Sequence, residues 1–154
     1  MQATAEERLL AMGLTLPAIT PPRGTFRAYV ISGSMLYLSG KGAPLREDAA
    51  VVPKVGAEVS VEQARAYAQE IGLYLLALMK EALGDLGRVQ RVVKVFGMVN
   101  ATPHFTSHTE VVNGCSDLLV AVLGEPGEHA RSAIGVGSLP KGFAVEIEAV
   151  VEFA

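Results

Sequence analysis

The last strand-like segment of the chain alternates between apolar and acidic residues. Apolar side chains occupy every second position of residues 145–153, and three of the four positions between them are Glu146, Glu148 and Glu152. A two-residue period places alternate side chains on opposite faces of a strand. The pattern therefore predicts a strand with one face in the core and an acidic face on the other side.

Residues 130–138 form a second predicted strand, which a short turn at residues 139–142 joins to the last one. Its faces would hold Ile134 and Val136 on one side, and Arg131, Ala133, Gly135 and Gly137 on the other. We expect Arg131 and the small residues to share the open sheet face with the glutamates. Small residues beside a guanidinium leave a hollow that suits a small carboxylate ligand. The same charges could instead pair on a solvated sheet face, so both interpretations stay open.

Two longer segments have the helical period of apolar residues. The first begins at Ser60 and ends at Gly84, and the second begins at Ser107 and ends at Gly124. In each, a Gln or Glu three residues after the serine predicts a capping box, and the glycine predicts the end. A shorter helix is predicted over residues 4–12, again with a capping box.

The remaining segments complete an α+β pattern. Strands are predicted over residues 26–31, 35–39 and 89–99, and a long loop over residues 41–58. The strand at 89–99 has few charges, so we expect it to be central. The final two strands read as a hairpin. Two helices packed on one face of a mixed sheet are the predicted architecture, in a single domain spanning residues 1–154.

Composition limits the classes of partner. Half of the 154 residues are hydrophobic, and the mean hydropathy of +0.34 is high for a soluble monomer. The longest apolar run, residues 71–79, is too short to cross a bilayer, so the excess predicts a subunit interface and no membrane partner. The net charge of −3 and the lack of a basic cluster with aromatic residues disfavour a nucleic-acid surface.

The positions of cysteine and histidine bear on the predicted location of the protein and on a possible metal site. Cys115 is the single cysteine, and the N-terminus lacks a targeting pattern, which together predict a cytoplasmic protein. Cys115 lies on the apolar stripe of its helix and is expected to be buried. His104 and His108 have a metal-pair spacing, but Pro103 places His104 outside the predicted helix. Without a third ligand in the pattern, we predict no metal site.

The C-terminal third resembles a known family signature. Ala-Arg-Ser at 130–132, Leu-Pro at 139–140 and Val-Glu-Ile-Glu at 145–148 are similar to the signature of the Rid family, the reactive intermediate deaminases of YjgF type, once labelled L-PSP endoribonucleases. Weaker matches at Thr25-Phe26, Leu38-Ser39-Gly40 and Gly84-Asp85-Leu86 extend the resemblance. It covers roughly residues 23 to 154 and leaves residues 1–22 as an N-terminal helical extension.

The resemblance implies a fold, an assembly and a reaction. Rid proteins have a chorismate-mutase-like fold and form trimers, with clefts between subunits lined by the arginine strand. Active members hydrolyse 2-imino or 2-enamino acids to a 2-keto acid and ammonia without a metal or organic cofactor. By the same resemblance, Arg131 holds the substrate carboxylate and Glu146 positions the attacking water. Phe26, Gly40 and Ala133 would line the substrate site.

Several positions depart from the family pattern. Phe26 stands where many active members have tyrosine, Ala133 where many have cysteine, and His129 where a small residue or proline is usual. These differences indicate a divergent subgroup in which the arginine grip serves a different ligand. Two alternatives to a deaminase therefore remain, namely a non-catalytic sensor of small carboxylates and an endoribonuclease or translation inhibitor, as the older label says.

Overall fold

The computed structural model describes residues 3–45 and 52–154, which form a five-stranded sheet and three α-helices. The helices are α1 (Ala5–Ala11), α2 (Val61–Leu83) and α3 (His108–Leu123), and the strands are β1 (Tyr29–Ser32), β2 (Met35–Ala43), β3 (Val89–Asn100), β4 (Ala130–Val136) and β5 (Val145–Phe153). The strand order is β1-β2-β5-β3-β4. Because β4 runs parallel to β3 and the other neighbours are antiparallel, the predicted mixed α+β sheet is confirmed.

The predicted ends of α1 and α2 are confirmed. Thr4 and Glu7 form a reciprocal capping box at the start of α1. The Ser60 hydroxyl accepts a hydrogen bond of 3.1 Å from the backbone N–H three residues on, and Gly84, with a φ of 80°, ends α2. A positive φ at this position favours glycine because it has no Cβ.

The predicted cap of α3 is wrong, although the helix begins and ends where expected. Ser107 makes no side-chain hydrogen bond to the first turn. Its backbone is not extended, with φ −96° and ψ 34°, and a capping residue needs an extended backbone to direct its hydroxyl at the free N–H groups. Gly124 follows the last residue of α3, as predicted.

Helices α2 and α3 pack together over one face of the sheet, and they touch closely at Gly114. A Cβ on Gly114 would lie 2.0 Å from the backbone carbonyl oxygen of Arg65 on α2. The Arg65 side chain then extends along α3 to the Glu110 carbonyl and the Asp117 carboxylate. Cys115, next to this contact, is fully buried, as predicted. None of the helices in the described ranges combines the length and hydropathy that crossing a bilayer requires.

The alternation of β5 is confirmed. Val145, Ile147, Ala149 and Val151 are buried beneath the helices, while Glu148 and Glu152 are exposed. We call the sheet surface turned away from α2 and α3 the open face. A groove of about 260 Å³ crosses it, lined in part by Val30, Tyr37, Lys94, Phe96 and Glu148.

The predicted connection between the last two strands is wrong. Strands β4 and β5 do not form a hairpin, because β3 lies between them and pairs with both. The turn around Pro140–Gly142, a short 3₁₀ helix, therefore spans two strand spacings. The parallel pairing of β3 with β4 takes the hydrogen bonds that a hairpin would have used.

Two boundaries in the N-terminal half also differ from the prediction. Strand β1 begins at Tyr29, so Phe26 lies in the bend before it. Strand β2 continues through residues 41–43, which were predicted to be loop, because these residues pair with β5. Residues 46–51 of the predicted loop, and Met1 and Gln2 of the extension, lie outside the described residues.

Candidate functional site

The orientation of β4 is opposite to the predicted one. Arg131 and Gly135 pair with Val95 and Val99 of β3, and both valines are fully buried under the helices. Paired residues on neighbouring strands point to the same face. Arg131, Ala133 and Gly135 therefore face α3, and the prediction that Arg131 shares the open face with Glu146 is wrong.

The small residues of β4 explain this difference. A Cβ on Gly135 would lie 2.6 Å from Nε2 of His108 on α3. Gly97, on the neighbouring strand and the same face, likewise leaves room for Val112 of α3. These glycines allow the helix to approach the sheet, so the space predicted to be a hollow beside Gly135 is filled by an imidazole.

Arg131 is held by oxygen atoms of α3 that carry no charge. Its Nη1 donates to Asn113 Oδ1 at 2.8 Å and to Ser116 Oγ at 3.0 Å, and its Nη2 lies 3.5 Å from the Thr109 carbonyl oxygen. Within residues 3–45 and 52–154, no carboxylate forms a salt bridge with this guanidinium. The half-buried cation is thus fixed in place with its charge uncompensated, which suits an anionic ligand.

His129 extends this hydrogen-bonded chain behind the arginine. Ser116 Oγ lies 2.9 Å from His129 Nε2, and His129 Nδ1 lies 2.6 Å from the Gly127 carbonyl oxygen. The serine oxygen therefore contacts Arg131 on one side and the imidazole on the other. We call Arg131, Ala133, Thr109, Asn113, Ser116 and His129 the arginine group.

Cys115 lies behind the arginine group but is not part of it. Complete burial raises the pKa of the Cys115 thiol to about 12, while the positive charge of Arg131 acts in the opposite direction. A thiol with such a pKa stays protonated at neutral pH and is a poor nucleophile. The side chain is a buried hydrophobe, as the helical pattern predicted.

Glu146 lies on the open face, beside Gly40 of β2. A Cβ on Gly40 would lie 3.2 Å from Cδ of Glu146, so glycine leaves the carboxyl accessible on that side. Burial, followed by the negative charge of Glu148, raises the pKa of Glu146. A carboxyl that holds its proton more tightly than usual is suited to exchange one with a substrate.

The backbone beside Phe26 contacts the strand that carries Gly40. Phe26 is 56% exposed, and the backbone carbonyl of the next residue, Arg27, accepts a 2.6 Å hydrogen bond from the hydroxyl of Ser39, which precedes Gly40. We call Glu146, Gly40 and Phe26 the glutamate group. The five predicted site residues thus divide, with Arg131 and Ala133 in one group and the other three in the second.

The two groups do not meet within one subunit. Strand β3 separates β4 from β5, so Arg131 and Glu146 are about 10 Å apart across the sheet by strand spacing alone. They are also offset along it, since Arg131 pairs with Val95 and Glu146 with Met98. Their side chains point to opposite faces, so a small molecule on one subunit cannot contact both.

Four residues of the arginine group were missed by sequence reasoning. Thr109, Asn113 and Ser116 lie four and then three residues apart, which is the spacing of one helix face. This polar stripe on an otherwise apolar helix was a usable signal. His129 was noted only as a departure from the family pattern, because its place beside Ser116 depends on the turn between α3 and β4.

The histidines predicted to lack a metal do not lie in one helix. His104 precedes α3, whereas His108 opens it and contacts the Phe105 ring edge-on, with centroids 5.0 Å apart. Among the residues that the structure describes, no group of three or more His, Cys, Asp and Glu is placed to hold a metal ion.

Known proteins resemble this chain over nearly its whole length. Residues 6–144 match the family described as "YjgF/chorismate_mutase-like, putative endoribonuclease". Protein TCP17 of Trypanosoma cruzi is 41% identical over 157 residues, covering 99% of this chain and 98% of that protein. The crystal structure of Atu1372 from Agrobacterium tumefaciens, a protein of unknown function, is 41% identical with a TM-score of 0.86, covering 98% and 94% of the two chains.

Structural similarity is uneven within these relatives. A "putative endoribonuclease" from Shewanella oneidensis has a TM-score of 0.89 at 29% identity, covering 98% of this chain and 100% of that one. RidA from the Antarctic bacterium Psychrobacter has a TM-score of 0.58 at 28% identity, covering 86% and 93%. The difference in TM-score at nearly equal identity is consistent with the divergence expected from the sequence. The chain belongs to the YjgF/chorismate-mutase-like family.

Proposed function

We propose that the protein is a deaminase that hydrolyses 2-imino acids to 2-keto acids and ammonia. The observation that carries the proposal is the guanidinium of Arg131, fixed by Asn113 and Ser116 and left without a carboxylate partner among the described residues. Such a cation binds a carboxylate through two parallel hydrogen bonds. Every 2-imino acid has this carboxylate next to its reactive carbon.

We further propose that the complete site forms between two subunits of a homotrimer. The arginine group and the glutamate group lie on opposite sides of one sheet, so a neighbouring copy must supply the second group. The open face carries large apolar side chains that a partner would cover, including Val30, Tyr37 and Ile134, which are 50%, 48% and 43% exposed. Exposed apolar surface of this kind is typical of an interface.

The proposed reaction needs one cation that binds the substrate carboxylate and one group that transfers protons. With the substrate carboxylate on Arg131, water adds to the C=N carbon while Glu146 of the adjoining subunit accepts a water proton. The same carboxyl returns that proton to nitrogen, which gives a carbinolamine. It then carries the hydroxyl proton of the carbinolamine to the same nitrogen, so that the C–N bond breaks, ammonia leaves and the carbonyl forms. Orientation and proton transfer suffice for this reaction, because imines hydrolyse readily in water.

An imine panel tests the proposed activity. Imines of small, branched and aromatic amino acids are generated in place by an amino-acid oxidase, and their decay is followed with and without the protein. We expect acceleration for at least one imine, and a preference for a less polar side chain because Phe26 lacks a hydroxyl. Arg131→Ala is the matched negative control. No acceleration across the panel would overturn the deaminase proposal.

A carboxylate sensor is the second candidate, and the separation of the two groups favours it. Arg131 and its α3 partners form one complete anion grip within a single subunit, without Glu146. A sensor binds pyruvate or 2-oxobutanoate and accelerates no imine. The endoribonuclease named in the family description is a third outcome, tested by incubating the protein with single-stranded RNA. The net charge of −3 disfavours it.

A further inference from the structure

We propose that His129 is a positioning residue for Arg131 and makes carboxylate binding pH-dependent, with tighter binding at lower pH. The inference rests on the proposed carboxylate site. It starts from a continuous chain of hydrogen bonds that runs from the guanidinium through Ser116 to the imidazole and then to the Gly127 carbonyl. One oxygen atom separates the half-buried histidine from the arginine.

The direction of each hydrogen bond follows from the groups at its ends. A carbonyl oxygen only accepts, so His129 Nδ1 must carry the hydrogen that bonds to Gly127. In the neutral imidazole Nε2 then accepts, and the Ser116 hydroxyl donates to it. The lone pairs of Ser116 Oγ are then directed at Arg131, where they accept the hydrogen bond from Nη1.

Protonation of His129 changes the charge beside the ligand without breaking the arginine contact. Nε2 then donates to Ser116 Oγ, which has two lone pairs and can accept from Arg131 as well. A second cation is thereby added near the bound carboxylate. Anion binding and proton uptake by His129 therefore favour each other, and the linkage is reciprocal.

The titratable and charged groups on the elements around His129 set the background for this effect. They are Arg131 on β4, the Cys115 thiol and Asp117 on α3, Glu125 and Glu128 on its own segment, and Arg8 of α1, whose guanidinium donates to the Val122 carbonyl. Lys94 of the neighbouring strand lies on the open face instead. Asp117 is already paired with Arg65. As pH rises, Glu146 of the adjoining subunit would ionise and repel the bound carboxylate. This effect weakens binding at higher pH, as the loss of the His129 proton does, so the test must remove the ionisation of Glu146.

The test measures pyruvate binding by calorimetry between about pH 5.5 and 8, where histidine ordinarily titrates. It uses the full-length protein with Glu146→Gln as the common background. We expect the dissociation constant to rise by roughly three- to tenfold over this range, the size of a through-space charge effect at partial burial. His129→Gln should abolish the dependence, and the exposed His104→Gln should leave it intact. An unchanged pH dependence in His129→Gln overturns the inference.

A spectroscopic readout separates this role from a merely structural one. With ¹⁵N-labelled histidine, the His129 signals, assigned by their loss in His129→Gln, should show the Nδ1–H tautomer at high pH. Pyruvate should move the His129 titration midpoint upward. If pyruvate binds and that midpoint does not move, the inference is wrong while the carboxylate site stands. If pyruvate binds at no pH, the carboxylate site and the inference both fall.

Discussion

On the helix-facing side of the sheet, Arg131 is held by three uncharged oxygens, whereas on the open face Glu146 stands beside a second carboxylate, Glu148. The first arrangement orients a cation without neutralising it. The second raises the pKa of an acid without supplying a cation. Each group is incomplete in a way that the other would remedy.

The difference shows how a single sheet can keep a cation and a carboxylate apart by holding them on opposite faces. Charges of opposite sign on one face would pair with each other, and the guanidinium would then be unavailable to a ligand. With the sheet between them, both stay unpaired within one subunit, and in the proposed trimer a second copy would bring them together.

The largest effect is expected from a charge placed on the open face. Tyr37 is 48% exposed there, so Tyr37→Glu should split the trimer into monomers and reduce imine hydrolysis to background, because burying an unpaired carboxylate in an interface is costly. Light scattering gives the mass. Leu10→Glu is the matched control, since Leu10 is 78% exposed on α1, which packs on α3 and not on the open face. A wild-type monomer at micromolar concentration would contradict the proposed assembly.

The next effect concerns the arginine group. Arg131→Ala should weaken pyruvate binding by at least about 100-fold, because it removes two charge-assisted hydrogen bonds. Arg131→Lys should recover little of this, since an ammonium lacks the planar fork. Calorimetry measures affinity, and circular dichroism checks that the fold is intact. Wild-type affinity in the alanine variant would show that the carboxylate binds elsewhere.

A smaller effect on rate should arise in the glutamate group. Glu146→Gln keeps the shape but cannot carry the proton, so kcat should fall by roughly ten- to 100-fold, at or below the usual range for acid–base catalysis, because imines react readily. Pyruvate affinity should change far less. Single-turnover rates, measured beside binding, separate the two quantities. An equal loss of both would assign Glu146 to binding instead.

The same substitution should have a small, pH-dependent effect on stability. Because burial and Glu148 raise the pKa of Glu146, the folded state holds the proton more tightly than the unfolded state. Its stabilising contribution is present at low pH and is lost as pH rises through the folded-state pKa. The midpoint temperature of unfolding of Glu146→Gln should therefore rise relative to that of the wild type as pH increases. A variant midpoint that instead falls relative to the wild type would show the opposite pKa shift.

The smallest effect is expected at Cys115, behind the arginine group. Because burial raises the pKa of this thiol to about 12, iodoacetamide at pH 8 should label the native protein negligibly and the urea-unfolded protein quickly. Mass spectrometry counts the adducts. Rapid native labelling would mean that the core beneath Arg131 opens, so that Asn113 and Ser116 would not hold the guanidinium rigidly.

The elements of this fold were largely predictable, because strong periods and end signals coincide in them. The alternation in β5 and the Ser60-to-Gly84 limits of α2 are examples. The orientation of β4 was not predictable from its own residues. Both faces of this edge strand carry a mixture of apolar and very small residues. Its pattern therefore does not indicate which face packs against a helix.

The candidate site residues were chosen from the sequence, but their arrangement was not predicted. Arg131 and Glu146 were found from a signature that runs along the chain, whereas their separation depends on β3 entering between β4 and β5. Glycine was the misleading residue type. At Gly135 it indicates close contact with His108 rather than empty space, and only the packed helix distinguishes these cases.

The close contact at Gly114 controls, from a distance, the position of the residues that hold Arg131 in the proposed carboxylate site. Gly114 lies next to Asn113, and its backbone rests against the Arg65 carbonyl of α2. A single methyl group added there would push α3 outward and carry Asn113 and Ser116 away from the guanidinium. Ligand preference could therefore drift during evolution, or be tuned in the laboratory, through the seam between two helices, with every residue that touches the ligand left unaltered.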